Sequence, residues 1–360
     1  MKKKIENSII IITGSAGLVG SESVKFFSEK GYKVVGIDNN QRKKLFGIIA
    51  DTDWQKKKLL KTYNNYEHYN TDITKFSHLI KIFIKYGTSI KLVIHCAAQP
   101  SHDWAYRDPF LDFHINATGT LNMLEAIKKY SPSSKFILMS TNKVYGDSPN
   151  KLPLIEKKLR WELNIKHKYS RGIGEKMSID NSTHSLFGVS KSYADLITQE
   201  YGKNFNLNTI VFRAGCITGP NHSGAKLHGF LSYLVKACIR YKKYTLIGYK
   251  GKQVRDNIHS HDLVNCFWQY FKNSKFKGEA YNIGGGRFSN CSILESIKYI
   301  ESRLKIKVKK IFQKKPRVGD HKWYITDNSK FKKHYPMWKQ LYNTKKILDD
   351  LINCELNKIS

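Results

Sequence analysis

Three groups of residues combine types and spacings suited to chemistry. The first is Thr13-Gly14-Ser15-Ala16-Gly17-Leu18-Val19-Gly20, with glycines at every third position. Gly14 permits a tight turn, Gly17 lets backbone N–H groups approach a pyrophosphate, and Gly20 lets a following helix pack closely on a sheet. The start of that helix adds partial positive charge facing the phosphates. Asp38 ends the next apolar run, where a carboxylate accepts hydrogen bonds from adenosine ribose hydroxyls and repels a 2′-phosphate. The pairing points to NAD, with Arg42 keeping NADP as the alternative. A turn that merely uses glycine is the plainer explanation, and Asp38 weighs against it.

The second group is His184-Ser185-Leu186-Phe187-Gly188-Val189-Ser190-Lys191, in which positions 187 and 191 share a helical face. The third gathers Thr141, Asn142 and Lys143 after an apolar run, with Arg213 and Arg255 further on. A threonine hydroxyl can donate a hydrogen bond, and an arginine fork matches phosphate oxygens. Taken alone, each has a plainer explanation: a strand-end threonine satisfying backbone, a solvated lysine, an arginine in a surface ion pair.

Rigid elements must hold these groups. Apolar runs at 8–13, 33–38, 68–71, 91–96 and 135–140 alternate with helical patterns at 18–30, 75–86 and 109–130. Such alternation predicts a parallel sheet covered on both faces, an α/β fold of the Rossmann-type doubly wound class. Further strands are expected at 208–213 and 279–284, and a helix at 293–304. The expected division gives 1–216 to a dinucleotide-binding domain, to which 252–275 returns. Segments 217–251 and 276–360 then form a smaller interleaved α/β substrate-binding domain. The polar stretch 148–183 is expected to be either a lid with flex points at Gly172 and Gly174 or a surface excursion.

Composition narrows the classes. The 62 Lys+Arg against 29 Asp+Glu give a formal charge of +33. The basic residues are spread as short clusters, at 2–4, 56–58 and 307–310 among others, without any zinc-finger, RNP-like or basic-zipper pattern. Lysine-rich usage therefore explains the charge better than a nucleic-acid footprint, and no nucleic-acid partner is expected. Six scattered cysteines without a C-x-x-C pair argue against a metal site or a disulfide framework and fit a reducing cytoplasm. The lysine-led N-terminus mimics a signal peptide, but its apolar run is short and leads into the glycine motif. No run of 18 apolar residues exists, so no membrane partner is expected.

Several short strings carry a resemblance: Gly14-x-x-Gly17-x-x-Gly20, Asp72-Ile73, Ala97-Ala98-Gln99, Asn116, Val144-Tyr145-Gly146, Gly188-x-Ser190-Lys191, Arg213, Gly219-Pro220 and Arg255-Asp256. On these the chain resembles the extended short-chain dehydrogenase/reductases, the NAD-dependent epimerase/dehydratase group, from its start to about Gly286. The strings 140–147, 251–256 and 282–285 look most like those of the CDP-sugar 2-epimerases within it. The resemblance implies NAD held by Gly14, Ala16, Gly17, Leu18, Val19, Gly20, Asp38, Asn39, Asp72, Ile73, Ala97, Ala98, Gln99, Asn116 and Lys191. It implies a nucleotide-diphosphate sugar, CDP-linked by preference, contacted by Gln99, Thr141, Asn142, Lys143, Arg213 and Arg255. The implied reaction oxidises a sugar carbon to a ketone and reduces it again on the other face. Asn142-Lys143 stand where the group's 4,6-dehydratases carry Asp-Glu, which disfavours dehydration. A cytoplasmic homodimer paired through central helices is also implied.

One position departs from the family. Phe187 occupies the place of the catalytic Tyr, four residues before Lys191, and a phenyl ring has no proton to exchange. Either another group serves as base, with His184 or an acid from 147–185 favoured and Cys96, His102, Glu175, Asp180 and Tyr193 as candidates, or catalysis is lost. In the second case the chain is a non-catalytic protein that binds NAD or a sugar nucleotide. A nucleotide-sugar 4-epimerase or oxidoreductase of the same fold is the remaining enzymatic alternative.

Overall fold

A strand in the middle of a covered parallel sheet has no polar face, and Ile9–Thr13 is buried at all five positions. In this computed structural model, residues 8–220, 229–317 and 319–358 are described. The basic cluster at 2–4 and part of the expected 217–251 segment, 221–228, lie outside the described residues. The chain begins β1 (Ile9–Thr13), α1 (Leu18–Glu29), β2 (Lys33–Ile37), α2 (Gln41–Phe46), α3 (Asp53–Thr62), β3 (Tyr66–Tyr69), α4 (Phe76–Tyr86) and β4 (Ile90–His95). There follow α5 (His102–Arg107), α6 (Pro109–Phe113), α7 (Gly119–Tyr130), β5 (Lys135–Thr141), the hairpin β6 (Leu154–Glu156) and β7 (Trp161–Leu163), and α8 (Leu186–Lys203). The rest runs β8 (Asn208–Ala214), β9 (Cys216–Thr218), α9 (Phe230–Tyr241), β10 (Lys243–Ile247), β11 (Val254–His259), α10 (Ser260–Lys272) and β12 (Glu279–Ile283). It closes with β13 (Asn290–Ser292), α11 (Ile293–Leu304), β14 (Lys309–Gln313), β15 (Trp323–Tyr324), α12 (Ser329–His334) and α13 (Thr344–Leu356).

The chain divides into two compact units. Of the described residues, the first comprises 8–141, Leu186–Arg213 and Val264–Tyr281. Its seven-stranded sheet has the order β12-β8-β5-β4-β1-β2-β3, with β1 paired in parallel to both β2 and β4. One face buries Ile9, Ile11, Val35, Val93, Phe136 and Val211 against Leu79 and Phe83 of α4, Met123 and Ile127 of α7 and Ala194 of α8. The alternate residues Ile10, Ile12, Val34, Leu92 and Ile94 are buried on the opposite face. The expected Rossmann-type sheet is present. The strand expected at 68–71 lies slightly earlier, and the helix expected at 109–130 is interrupted by a π-helical turn, His114–Thr118.

The second unit comprises the described residues of Asn142–Ser185, Ala214–Leu263 and 282–358. Its strands form the path β13-β11-β15 with β9 also on β11, and a separate β10-β14 pair. This corrects the expected boundaries: 142–185 leaves the first domain, and the returning segment is 264–281 rather than 252–275. The physical reason is pairing. Trp161 N–H donates to Lys252 O at 2.9 Å and Ile173 N–H to Ile325 O at 2.7 Å, so the 148–183 stretch is knitted into this unit's sheet region. Gly172 has φ +138°, and an added Cβ there would meet Thr326 O at 2.6 Å, so this glycine serves close packing.

Candidate active site

In the first unit, the turn after β1 is set by contact as much as by conformation. Gly14 has φ +66°, and a Cβ on it would meet Ala97 N at 2.8 Å. A methyl at Gly20 would lie 2.0 Å from Gly14 O, so the first turn of α1 presses directly on the loop. Gly17 is the N-cap of α1 and brings no side-chain cap, while Gly17, Leu18 and Val19 are half-buried. The first-turn N–H groups are thus left for an anion, which is the fit a dinucleotide pyrophosphate requires.

Asp38 at the end of β2 accepts from Ala16 N–H at 3.0 Å and from Asn40 N–H at 2.8 Å, which fixes its carboxylate beside the loop. Asn39 accepts from Gln41 N–H at 3.1 Å at the start of α2. Arg42 lies near Asp38, and burial lowers its pKa while the Asp38 charge opposes the shift. Asp72 accepts from the Thr74 N–H and hydroxyl, both at 2.9 Å, and Ile73 is buried. Ala97 N–H donates to Thr13 Oγ1 at 3.1 Å, and the neighbouring Ala98 is half-buried.

A buried network then joins the end of β4 to α8. Asn116, in the π turn, accepts from Gln99 N–H at 3.0 Å and donates to Gln99 O at 3.1 Å, Asp112 Oδ1 at 3.0 Å and Ser190 Oγ at 3.1 Å. Gln99 Nε2 donates to Ser101 O and Asp112 Oδ1, and its Oε1 accepts from Ser101 N–H. The Gln99 amide is therefore committed to the protein, which replaces the expected substrate contact with a positional role. Lys191, the next residue of α8 and buried, donates from Nζ to Met139 O at 2.8 Å, two residues before Thr141 at the end of β5. Burial pushes its ammonium down to about 8, opposed by Asp195, Cys96 and Asp112.

Phe187 is buried one turn before Lys191, its ring edge-on to that of His102 with centroids 5.0 Å apart. Two other expectations are corrected here. The Arg213 fork is taken by Asp195, with Nε 2.9 Å from Oδ2 and Nη2 2.8 Å from Oδ1, so it is a buried ion-pair partner rather than a phosphate ligand. Cys96 does not suit a base, since burial pushes its thiol up to about 12 and disfavours the thiolate.

The second unit holds its own polar group. Lys143 Nζ donates to Gly319 O at 2.8 Å and lies 3.5 Å from His321 Nδ1. Burial, with Arg255 adding to it and Asp320 opposing, pushes Lys143 down to about 8. Arg255 is buried and pairs with Asp320, donating also to Val254 O at 2.8 Å. Burial disfavours the Asp320 charge, but Arg255 and Lys143 hold its carboxyl below the usual range. Asn142 is buried beside Lys143.

His184 lies between two carbonyl oxygens, Nδ1 3.0 Å from Ser182 O and Nε2 2.8 Å from Val144 O. Both nitrogens are occupied, so the expected role as substitute base does not fit. Glu175 accepts from Asn282 N–H at 2.7 Å and is likewise engaged. Asp320 and His321 had no signal in the sequence, because they reach Lys143 and Arg255 from distant positions. Asp112 was legible in principle, four residues before Asn116 on one helical face. Among the described residues, no helix is long and apolar enough to cross a membrane, no His, Cys, Asp and Glu group is placed to hold a metal, and all six cysteines are free thiols.

A sheet of this order, a glycine loop fixed against an acidic strand end, and a buried lysine on the following long helix define a dinucleotide-binding α/β protein. The chain belongs to the NAD dependent epimerase/dehydratase family, whose sequence profile matches residues 10–284, and its cofactor is NAD. It is 31% identical over 328 residues to CDP-paratose 2-epimerase of Salmonella typhi, covering 89% of this chain and 91% of that protein. It is 27% identical over 302 residues to UDP-glucuronate 4-epimerase of Thermodesulfobacterium geofontis, covering 83% and 82%. The fold is similar to that of UDP-glucose 4-epimerase from Thermotoga maritima solved with UDP-glucose, at TM-score 0.78 and 22% identity, covering 98% of this chain and 100% of that one.

Proposed function

We propose that this chain is an NAD-dependent nucleotide-sugar epimerase, with a CDP-sugar as substrate and C2 as the inverted centre. The observation that carries the reading is the buried Lys191 ammonium one helical turn from the substrate-facing position of the family, on a scaffold that grips a dinucleotide. Bound NAD supplies a reversible two-electron acceptor. Thr141 donates its hydroxyl to the reacting sugar oxygen, and Lys191 binds the nicotinamide ribose and favours negative charge nearby. Gly14, Ala16, Gly17, Leu18, Val19 and Gly20 face the pyrophosphate, and Asp38 with Asn39 the adenosine ribose. Asp72, Ile73, Ala97 and Ala98 line the rest of the cofactor, positioned by Gln99 and Asn116. Arg255 and Lys143 bind the substrate diphosphate, and Asn142 the sugar.

The working form in this reading is a cytoplasmic homodimer. Its support is the exposed apolar stripe Leu186, Val189 and Leu196 on α8, with Phe110 and Phe113 exposed on α6. The specific observation favouring a second reading, a non-catalytic binder, is Phe187. Incubation of the NAD-loaded protein with CDP-hexoses in deuterated water separates the two. Inversion without solvent deuterium in the sugar is expected; uptake at the neighbouring carbon, or no inversion of CDP-, UDP- or GDP-sugars, overturns the reading.

A further inference from the structure

We propose that His102 takes the proton that the missing phenol at position 187 would have carried; this rests on the epimerase reading above. The structure puts the imidazole against the Phe187 ring, with centroids 5.0 Å apart. His102 is only half-buried, so its ring is not sealed into the core. The backbone leading into it is held. Ser101, immediately before it, caps α5 by accepting from Trp104 N–H at 3.3 Å and is bonded on both sides by Gln99. The same Gln99 is tied through Asn116 to Ser190, the residue before Lys191. One network thus holds Ser101 and Ser190, the residues that precede His102 and Lys191.

Three competing groups are disfavoured by their surroundings. His184 has both nitrogens on carbonyls, burial disfavours the Cys96 thiolate, and the Tyr193 ring packs tilted against Phe113 with centroids 5.8 Å apart. Tyr193 is also six residues beyond Phe187, which turns it to another face of α8. An imidazole is moreover the side chain whose ordinary titration range suits proton exchange near neutrality. In the oxidation step the sugar O–H bond breaks, its proton passes to an imidazole nitrogen, and its electron pair becomes the second C–O bond. The C–H bond breaks with its electron pair and hydrogen leaving to NAD, the two-electron oxidant. The return step reverses each movement on the other face of the carbon.

The test uses the full-length NAD-loaded protein. His102→Gln should lose about 10²- to 10⁴-fold in turnover while keeping its NAD content and melting temperature. His102→Ala should be partly rescued by free imidazole, which a merely structural role does not allow. In the Phe187→Tyr background, His102→Gln should cost little. Independently, in ¹⁵N-histidine-labelled wild-type protein, CDP-glucose or UDP-glucose should shift the resonance that is absent from His102→Gln. Turnover of His102→Gln within twofold of an active wild type, or a resonance unmoved by saturating sugar nucleotide, overturns the proposal. An inactive wild type whose resonance does move keeps His102 at the sugar and sinks the epimerase reading instead.

Discussion

Gly20 is where one added carbon should be felt most sharply. A Cβ 2.0 Å from Gly14 O must push the loop away from α1, so Gly20→Ala should cost about 1–3 kcal/mol. Thermal melts with and without NAD check this, and the NAD-induced rise in melting temperature should vanish. Asp38 tests the ribose contact. Its carboxylate already accepts from two backbone N–H groups, and it has further lone pairs for hydroxyls. Asp38→Asn should weaken NAD binding about 10- to 100-fold, the value of hydrogen bonds to a charged group, with titration calorimetry as the readout. The glycines and Asp38 were legible because motif and geometry are local. The partner of Arg213 was not: Asp195 lies on a different element, and only folding shows the fork filled.

Helix α8 carries opposing demands at the scale of an element. It carries a buried cation, and burial depresses the Lys191 pKa from 10.5 to about 8. A lysine whose folded value lies below its unfolded one destabilises the fold wherever it is protonated. The penalty is full below pH 8, about 3 kcal/mol by linkage, and fades as pH rises toward 10.5. Cofactor-free Lys191→Met should therefore be more stable than wild type at pH 7, with the gap closing by pH 10.5 in urea unfolding. The outward side of the same helix supports a second prediction: Val189→Glu with Leu196→Glu should convert the proposed dimer to monomer in sedimentation velocity. The sheet was readable because isoleucine- and valine-rich runs such as 9–13 and 33–37 have no polar face. The helices at 41–46 and 53–62 were not, because their lysine-rich sequence hides the apolar period. The second unit was obscured by strands of two to six residues, most too short to show alternation.

For the molecule as a whole, the net charge of +33 should act on encounter rather than on fold. An anionic sugar nucleotide approaching such a surface should show a kcat/KM that falls severalfold as the Debye length shrinks from about 30 Å to about 8 Å between low and physiological salt. A flat profile in stopped-flow binding would mean that the field at the site is balanced by its own acids, Asp320 foremost.

One edge strand of the seven-stranded sheet, β12, is supplied by Glu279–Ile283, far along the chain from the glycine turn. During synthesis the nascent polypeptide must therefore wait, with one flank of β8 offering unpaired amides to any neighbour, until those residues clear the ribosomal tunnel. A translation product stopped just before Glu279 should aggregate, while one extending beyond Ile283 gains the strand that seals that flank.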